Sequence, residues 1–220
     1  MYRRITFQYL ALCLASLFAC SALTTPVATA QEVPLLISNS QSPDGKLEIW
    51  IQPILNQGCA VGTAQIRQAA TERIVSTFYW SGFGEVADSK AFTVLWRPDC
   101  KYFAITWELC RGYVTSTIYG RHRNGQWTEV KIPTDEITGA MKKMGKVSEF
   151  HSGKGHDTAL KWLSNGNLEM ESACEDIYFK GDGVEKKYAV ILHADSKSSE
   201  PSEIARIISI NLKPHEVEKP

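Results

Sequence analysis

The sequence predicts an all-β protein made of antiparallel four-stranded meanders in about three repeats, and three observations predict it. Runs rich in Val, Ile, Thr, Tyr, Phe and Trp between residues 33 and 212 are punctuated by Gly, Pro, Asn and Asp, the pattern of short strands and turns. A turn-and-strand layout recurs along the chain. The only stretch approaching a helical period is TDEITGAMKKMGK, Thr134 to Lys146, where Gly139 and Gly145 limit the expectation to one short helix.

In chain order, the first stretch is MYRRITFQYLALCLASLFACSALTTPVATAQE. Arg3 and Arg4 are basic, Leu10 to Ala19 is apolar, and Ala28-Thr29-Ala30 is a run of small residues, which is the layout of a secretory signal. Residues 1–30 are therefore assigned to a signal peptide cut after Ala30, 31–213 to a single all-β domain, and 214–220 to a flexible C-terminal tail. The apolar run is shorter than the roughly 20 residues of a membrane helix, so no membrane span is expected. Leu17-Phe18-Ala19-Cys20 also resembles a bacterial lipoprotein box, an alternative that would put a lipid on Cys20. Phe18 fits that box poorly, and plain export to the periplasm or the extracellular space is the leading expectation.

The chain carries 24 Lys and Arg against 24 Asp and Glu. Its charges are scattered, with no basic stripe interleaved with aromatics, and this excludes nucleic acid as a partner. Two of the six cysteines lie in the signal; Cys59, Cys100, Cys110 and Cys174 remain. In an oxidising compartment disulfides are the default for them. None of the four forms the close C-x2-C pair of a structural zinc site, so neither a metal nor a cofactor is expected.

SPDGKLEIWI (Ser42 to Ile51), RPDCKYFAIT (Arg97 to Thr106) and LSNGNLEMES (Leu163 to Ser172) share a turn, a polar residue and an alternating strand. Trp96 and Trp162 precede the second and third copies. Each copy runs on towards a cysteine, at Cys59, Cys110 and Cys174, then into GTAQIRQ, YVTSTIYGR or KKYAVILHA. A fourth run follows in each: ERIVSTFYW, GQWTEVKIP and ARIISINL. In AFTVLW, both Phe92-Val94-Trp96 and Ala91-Thr93-Leu95 are largely apolar, which predicts a strand buried on both faces. The more polar VTSTIYGRH reads nearer an edge.

The SPDGK turn, with an aromatic before its later copies, resembles the repeat of WD-like β-propellers of the TolB type found in bacterial cell envelopes. The resemblance implies a partial propeller-like arrangement, with a compact sandwich or barrel as the alternatives. Cys100 in place of glycine and Ser164-Asn165 in place of Pro-Asp depart from the pattern. An incomplete ring leaves strand edges unpaired, so a homodimer through edge strands is a further expectation.

Glycine serves such turns because it tolerates positive φ. Cys100 is therefore expected to sit in a changed turn, or to be held there by a bond. A strand between Cys100 and Cys110 would hold them roughly 30 Å apart at about 3.3 Å per residue, too far for a disulfide, whose Cα atoms lie within about 7 Å. Equivalence of the repeat loops favours Cys59 with Cys110.

A nucleophile elbow, a glycine-rich phosphate loop and an H-E-x-x-H motif are all absent from the sequence, so no catalytic residue is assigned. HSGKGHD gathers His151, His156 and Asp157, which could line a pocket or hold a metal, although the surrounding Ser, Gly and Lys read first as an exposed, solvated loop. Trp80 and Phe83 in YWSGFGE suit a carbohydrate or protein contact, with core packing as the alternative role. The loops after Trp80, His122 and Gly145 are the expected contact points. The leading expectation is an exported, non-enzymatic binding module with a protein or glycan partner. A secreted hydrolase using two loop carboxylates and a small secreted enzyme inhibitor are the alternatives.

Overall fold

The computed structural model describes residues 33–56, 59–81, 91–108, 114–145, 155–175, 185–195 and 200–213. The expected signal, the 214–220 tail, Phe83, Cys110 and His151 lie outside these residues. The strands are β1 (Leu35–Leu36), β2 (Leu47–Asn56), β3 (Cys59–Gln68), β4 (Ile74–Ser81), β5 (Phe92–Trp96), β6 (Tyr102–Glu108), β7 (Val114–Arg121), β8 (Trp127–Val130), β9 (Gly155–Trp162), β10 (Leu168–Glu175), β11 (Glu185–Asp195) and β12 (Pro201–Leu212). One helix, α1 (Thr134–Gly145), separates β8 from β9.

Taken in fours, the strands are the three expected meanders. β1-β2-β3-β4 is a sheet of its own, whereas β5 to β8 and β9 to β12 join in one eight-stranded sheet. Within each meander, neighbouring strands pair antiparallel.

The recurring turn has a single physical construction, and it occurs four times among the described residues. The carbonyls of Ser42, Arg97, His122 and Leu163 accept the N–H three residues on, at 2.8, 2.9, 2.9 and 2.9 Å. Asp44, Asp99, Asn124 and Asn165 each turn a side-chain oxygen onto the N–H two residues ahead, at 3.2, 3.0, 2.9 and 3.1 Å. The residue between sits at positive φ: Gly45 at 71°, Cys100 at 57°, Gly125 at 87° and Gly166 at 80°. Cys100 thus occupies the same left-handed position as the glycines, not a changed turn, and carries the steric cost of about 1–2 kcal/mol that a Cβ brings there. The fourth copy, His122 to Gly125, joins β7 to β8 and carries Arg123 where the others have Pro or Ser, with Asn124 matching Asn165 of the third copy, so it is not visible as a Pro-Asp motif.

Two cores result. One lies between the four-stranded sheet and β5 to β8, where Ile49, Ile51 and Ile66 meet Val94, Phe103, Ile105 and Trp127. The second gathers Tyr102, Ala104, Ile118, Met170, Tyr188, Val190 and Leu192 with Ile137 and Met141 of α1. Strand β6 serves both: every residue from 102 to 107 is buried, odd positions facing one core and even positions the other. It is β6, not β5, that is covered on both faces; Thr93 of β5 is exposed because β5 ends the sheet. Conversely β7 is no edge, since it meets β6, β8 and β9.

The larger sheet curls. Its second and third meanders touch through one parallel pair, Val114 with His156, and β12 returns to the end of β8, where Lys131 bonds Glu203 and Ala205 at 2.9 Å each. Acidic Asp135 and Glu136 in the first turn of α1 and Lys142 and Lys143 in its last complement the helix dipole. Ile137 and Met141, four residues apart, are the positions it buries.

Candidate functional site

Alternation along β2 sends Leu47, Ile49 and Ile51 into the core and Glu48, Trp50 and Gln52 to the outer face of the first sheet. Register carries that outer row across the sheet. Trp50 faces Gln65, which faces Thr77; Gln52 faces Thr63, which faces Tyr79; Glu48 faces Arg67. Leu36 lies across from Trp50 on the other side.

The polar side chains on this face are tied to one another. Arg67 donates from Nε at 3.0 Å and Nη2 at 2.7 Å to Oε1 of Gln65, whose Nε2 donates to Oε1 of Gln52 at 3.2 Å. The Arg67 guanidinium lies 4.5 Å from the ring centroid of Trp50, a cation–π arrangement. Beneath it Gln65 is only 6% exposed. Tyr79, by contrast, is 86% exposed. The face therefore carries a bared aromatic ring, Tyr79, together with a preorganised group of planar amides and guanidinium. The sequence signal for it was the polar alternation Glu48-Trp50-Gln52 opposite Gln65-Arg67, which a search centred on loops passes over.

Phe83 and His151 lie outside the described residues, and the other residues expected as contact points stand on separate elements: Trp80 on β4, His122 in the β7–β8 turn, and His156 and Asp157 on β9. Trp80 follows Tyr79 on β4, where it lies opposite Gly62, and its side chain falls outside the described part. His122 closes a turn: its Nδ1 is 3.1 Å from Oε2 of Glu200 and its Nε2 2.9 Å from Oγ1 of Thr128. Arg123 adds its own contact to Glu200, Nε to Oε1 at 2.9 Å, so this group pins the β7–β8 turn to the start of β12. His156 and Asp157 are neighbours on β9 and therefore face opposite sides of the sheet.

Asp157 belongs to an interior polar row. Ser116 Oγ donates to the Asp157 carbonyl at 2.7 Å and accepts the Ala159 N–H at 2.9 Å. Its remaining neighbour, Thr106 Oγ1 at 2.7 Å, must then be a donor, because a hydroxyl has one proton to give. This hydroxyl continues the parallel β7–β9 ladder where backbone pairing stops. The Asp157 carboxylate accepts from Ser172 Oγ; burial pushes its pKa up, opposed by that bond and by His156.

A second buried charge joins the meanders. Arg97, 7% exposed, binds Asp99 through Nε and Nη2 at 2.9 and 2.7 Å, and Asp195 at the end of β11 through Nη1 at 2.7 Å. Its guanidinium lies 3.9 Å from the Tyr102 ring centroid. Burial and the Asp195 carboxylate push the Tyr102 phenol up. Elsewhere Glu169 pairs with Lys161 at 3.2 Å, and Glu171 with Lys213 and Lys187 at 2.6 and 3.5 Å. Among the described residues no three of His, Cys, Asp and Glu converge as a metal-holding group, and no helix is long and apolar enough to cross a membrane. Of the expected disulfide, Cys59 opens β3, but its side chain and the whole of Cys110 are outside the described part.

No family model, curated protein or solved structure matches the chain.

Proposed function

We propose that this chain is an exported, non-enzymatic binding module that makes its contact through the outer face of the first sheet. The observation that carries the reading is Tyr79, 86% exposed on a sheet face whose neighbouring side chains are already held by the Arg67–Gln65–Gln52 bonds. A rigid, presented surface of this kind loses little conformational freedom on binding. Several of the described carboxylates are already held in ion pairs. Asp99 and Asp195 are held by Arg97, Glu169 and Glu171 by lysines, and Glu200 by His122 and Arg123. Export rests on the three-part layout of residues 1–30. The order of strands in each meander is compatible with the blade that the TolB-type resemblance implies.

A photo-crosslinking residue in place of Thr77, in cells that export the protein, tests the contact surface. An adduct at Thr77 that is missing when the same residue replaces Asp135, on the exposed start of α1, supports the reading. Equal labelling at both positions, or none at Thr77, counts against it. Mass spectrometry of the exported form should find Gln31 as the first residue; Met1 or a lipid on Cys20 would overturn export by signal cleavage after Ala30.

A further inference from the structure

We infer that the outer face of β2, β3 and β4 takes a neutral polysaccharide, with a sugar ring stacked on Tyr79. The inference rests on the binding-module reading above and names its ligand class.

Three properties of the face select this chemistry. First, Tyr79 presents almost its whole ring, at 86% exposure, on a sheet and not in a groove. A flat, bared ring suits the C–H face of a pyranose better than an apolar side chain, which needs a pocket to leave water. Second, the polar groups that share its face of the sheet are planar and fixed. Gln52 accepts from Gln65 through its carbonyl oxygen, which leaves its own amide N–H groups as donors. Arg67 uses Nε and Nη2 on Gln65, which leaves Nη1 as a further donor. Thr63 and Thr77 add hydroxyls that can donate or accept. Such a set matches the mixed donors and acceptors of sugar hydroxyls.

Third, the charge on the face is balanced. Glu48 lies directly across from Arg67, and the Arg67 guanidinium rests over the Trp50 ring. A phosphorylated or strongly acidic ligand would find no net positive field to bind, whereas an uncharged one meets no penalty. Diagonally across the sheet, Tyr79 and the Trp50 ring that carries the Arg67 guanidinium are two strands and two residues apart, roughly 12 Å from strand spacing and rise. That span exceeds one sugar ring, so a chain and not a monosaccharide is the fitting ligand.

The mature chain is run in native gels containing a soluble β-glucan, a galactomannan or hydroxyethyl cellulose, with a polysaccharide-free gel as reference. Retardation in at least one gel is expected. Tyr79→Ala should weaken it by roughly five- to tenfold, and Tyr79→Phe should keep most of it, as stacking without a required hydroxyl implies. Because Tyr79 is exposed, a near-ultraviolet circular dichroism spectrum like that of the unaltered chain will show the variants folded. The inference is overturned if no polysaccharide retards the chain, or if Tyr79→Ala is retarded as strongly as the original. A protein adduct at Thr77 together with no retardation would overturn the ligand class while leaving the binding module standing.

Discussion

The indole of Trp162 donates to the carbonyl of Leu95 at 2.8 Å, and one copy earlier the indole of Trp96 donates to the carbonyl of Ser40 at 2.7 Å. The two bonds are equivalent. Each tryptophan stands just before the turn of its own meander, and each acceptor stands two residues before the turn of the preceding meander. The repeat is therefore more than an echo of turn residues: it fixes how successive meanders are joined. The first copy has Gln41 in this place, and its amide reaches only the Gly45 carbonyl of its own turn, at 3.4 Å.

Trp162→Phe should separate the bond from the packing. The phenyl ring can keep the contact with Tyr102, whose centroid lies 6.0 Å away, but the hydrogen bond to Leu95 is lost. A stability loss of about 1 kcal/mol in urea denaturation is expected for the bond, and about 3 kcal/mol for Trp162→Ala, which removes the ring as well. A phenylalanine variant as stable as the original would mean that packing alone sets the join.

Cys100 tests the turn. At φ 57° a glycine would relieve a steric cost of about 1–2 kcal/mol, of which its freer unfolded chain returns roughly half. Cys100→Gly should therefore raise the melting temperature slightly, or leave it unchanged. Cys59→Ser and Cys110→Ser should lower it clearly if those two residues pair, since closing a loop of roughly fifty residues stabilises by about 4 kcal/mol on the chain-entropy account. Non-reducing peptide mapping that finds Cys100 bound to either would contradict the assignment.

Two glycines give opposite signs. Gly139 sits inside α1 with nothing within 4 Å of the position a Cβ would take, so Gly139→Ala should stabilise by about 1 kcal/mol. At Gly120 the added Cβ would lie 2.6 Å from Tyr102 Cε1 and 2.7 Å from the Pro201 ring, both held between β6, β7 and β12. Gly120→Ala should destabilise by about 1–3 kcal/mol. Thermal melts of the two variants check both; like signs would show that the backbone at one site moves freely.

Much of the fold was legible because turn chemistry is local. Pro-Asp-Gly and its neighbours set the hairpins, and alternating strands set their faces, so three meanders and one short helix could be read from Ser42 to Leu212. What sequence could not supply was pairing between distant segments. That β9 would meet β7 depends on Ser116, one serine among many, completing a ladder 41 residues away. The burial of β6 on both faces, and not of β5, depends on where the sheet ends, which periodicity does not encode. The open face around Tyr79 was missed for a related reason. Its members come from three strands and become neighbours only through register, whereas His151, His156 and Asp157 look clustered because they are near in sequence, and strand alternation then sends His156 and Asp157 to opposite sides.

Asp157 makes the pH dependence of the second core predictable in sign. Burial raises its pKa above 3.8, with the Ser172 bond and His156 opposing. The folded chain then holds the proton more tightly than the unfolded chain, so stability falls as pH rises through the window from 3.8 up to the raised value. Glu171 acts in the opposite direction. Burial would raise its pKa, but the bond from Lys213 and the charges of Lys213 and Lys187 outweigh this and lower it below 4.5, so its contribution is lost on acidification. The total profile mixes the two, and a difference isolates one. Asp157→Asn keeps an oxygen to accept from Ser172 but has no charge to desolvate. Urea titrations from about pH 4 to pH 7 should show the stability of Asp157→Asn relative to the original chain rising with pH through this window and then levelling. A difference that stays flat would mean that the carboxylate keeps its water in the fold, and that the seam between β7 and β9 is held by the Ser116 hydroxyl without any dependence on charge at Asp157.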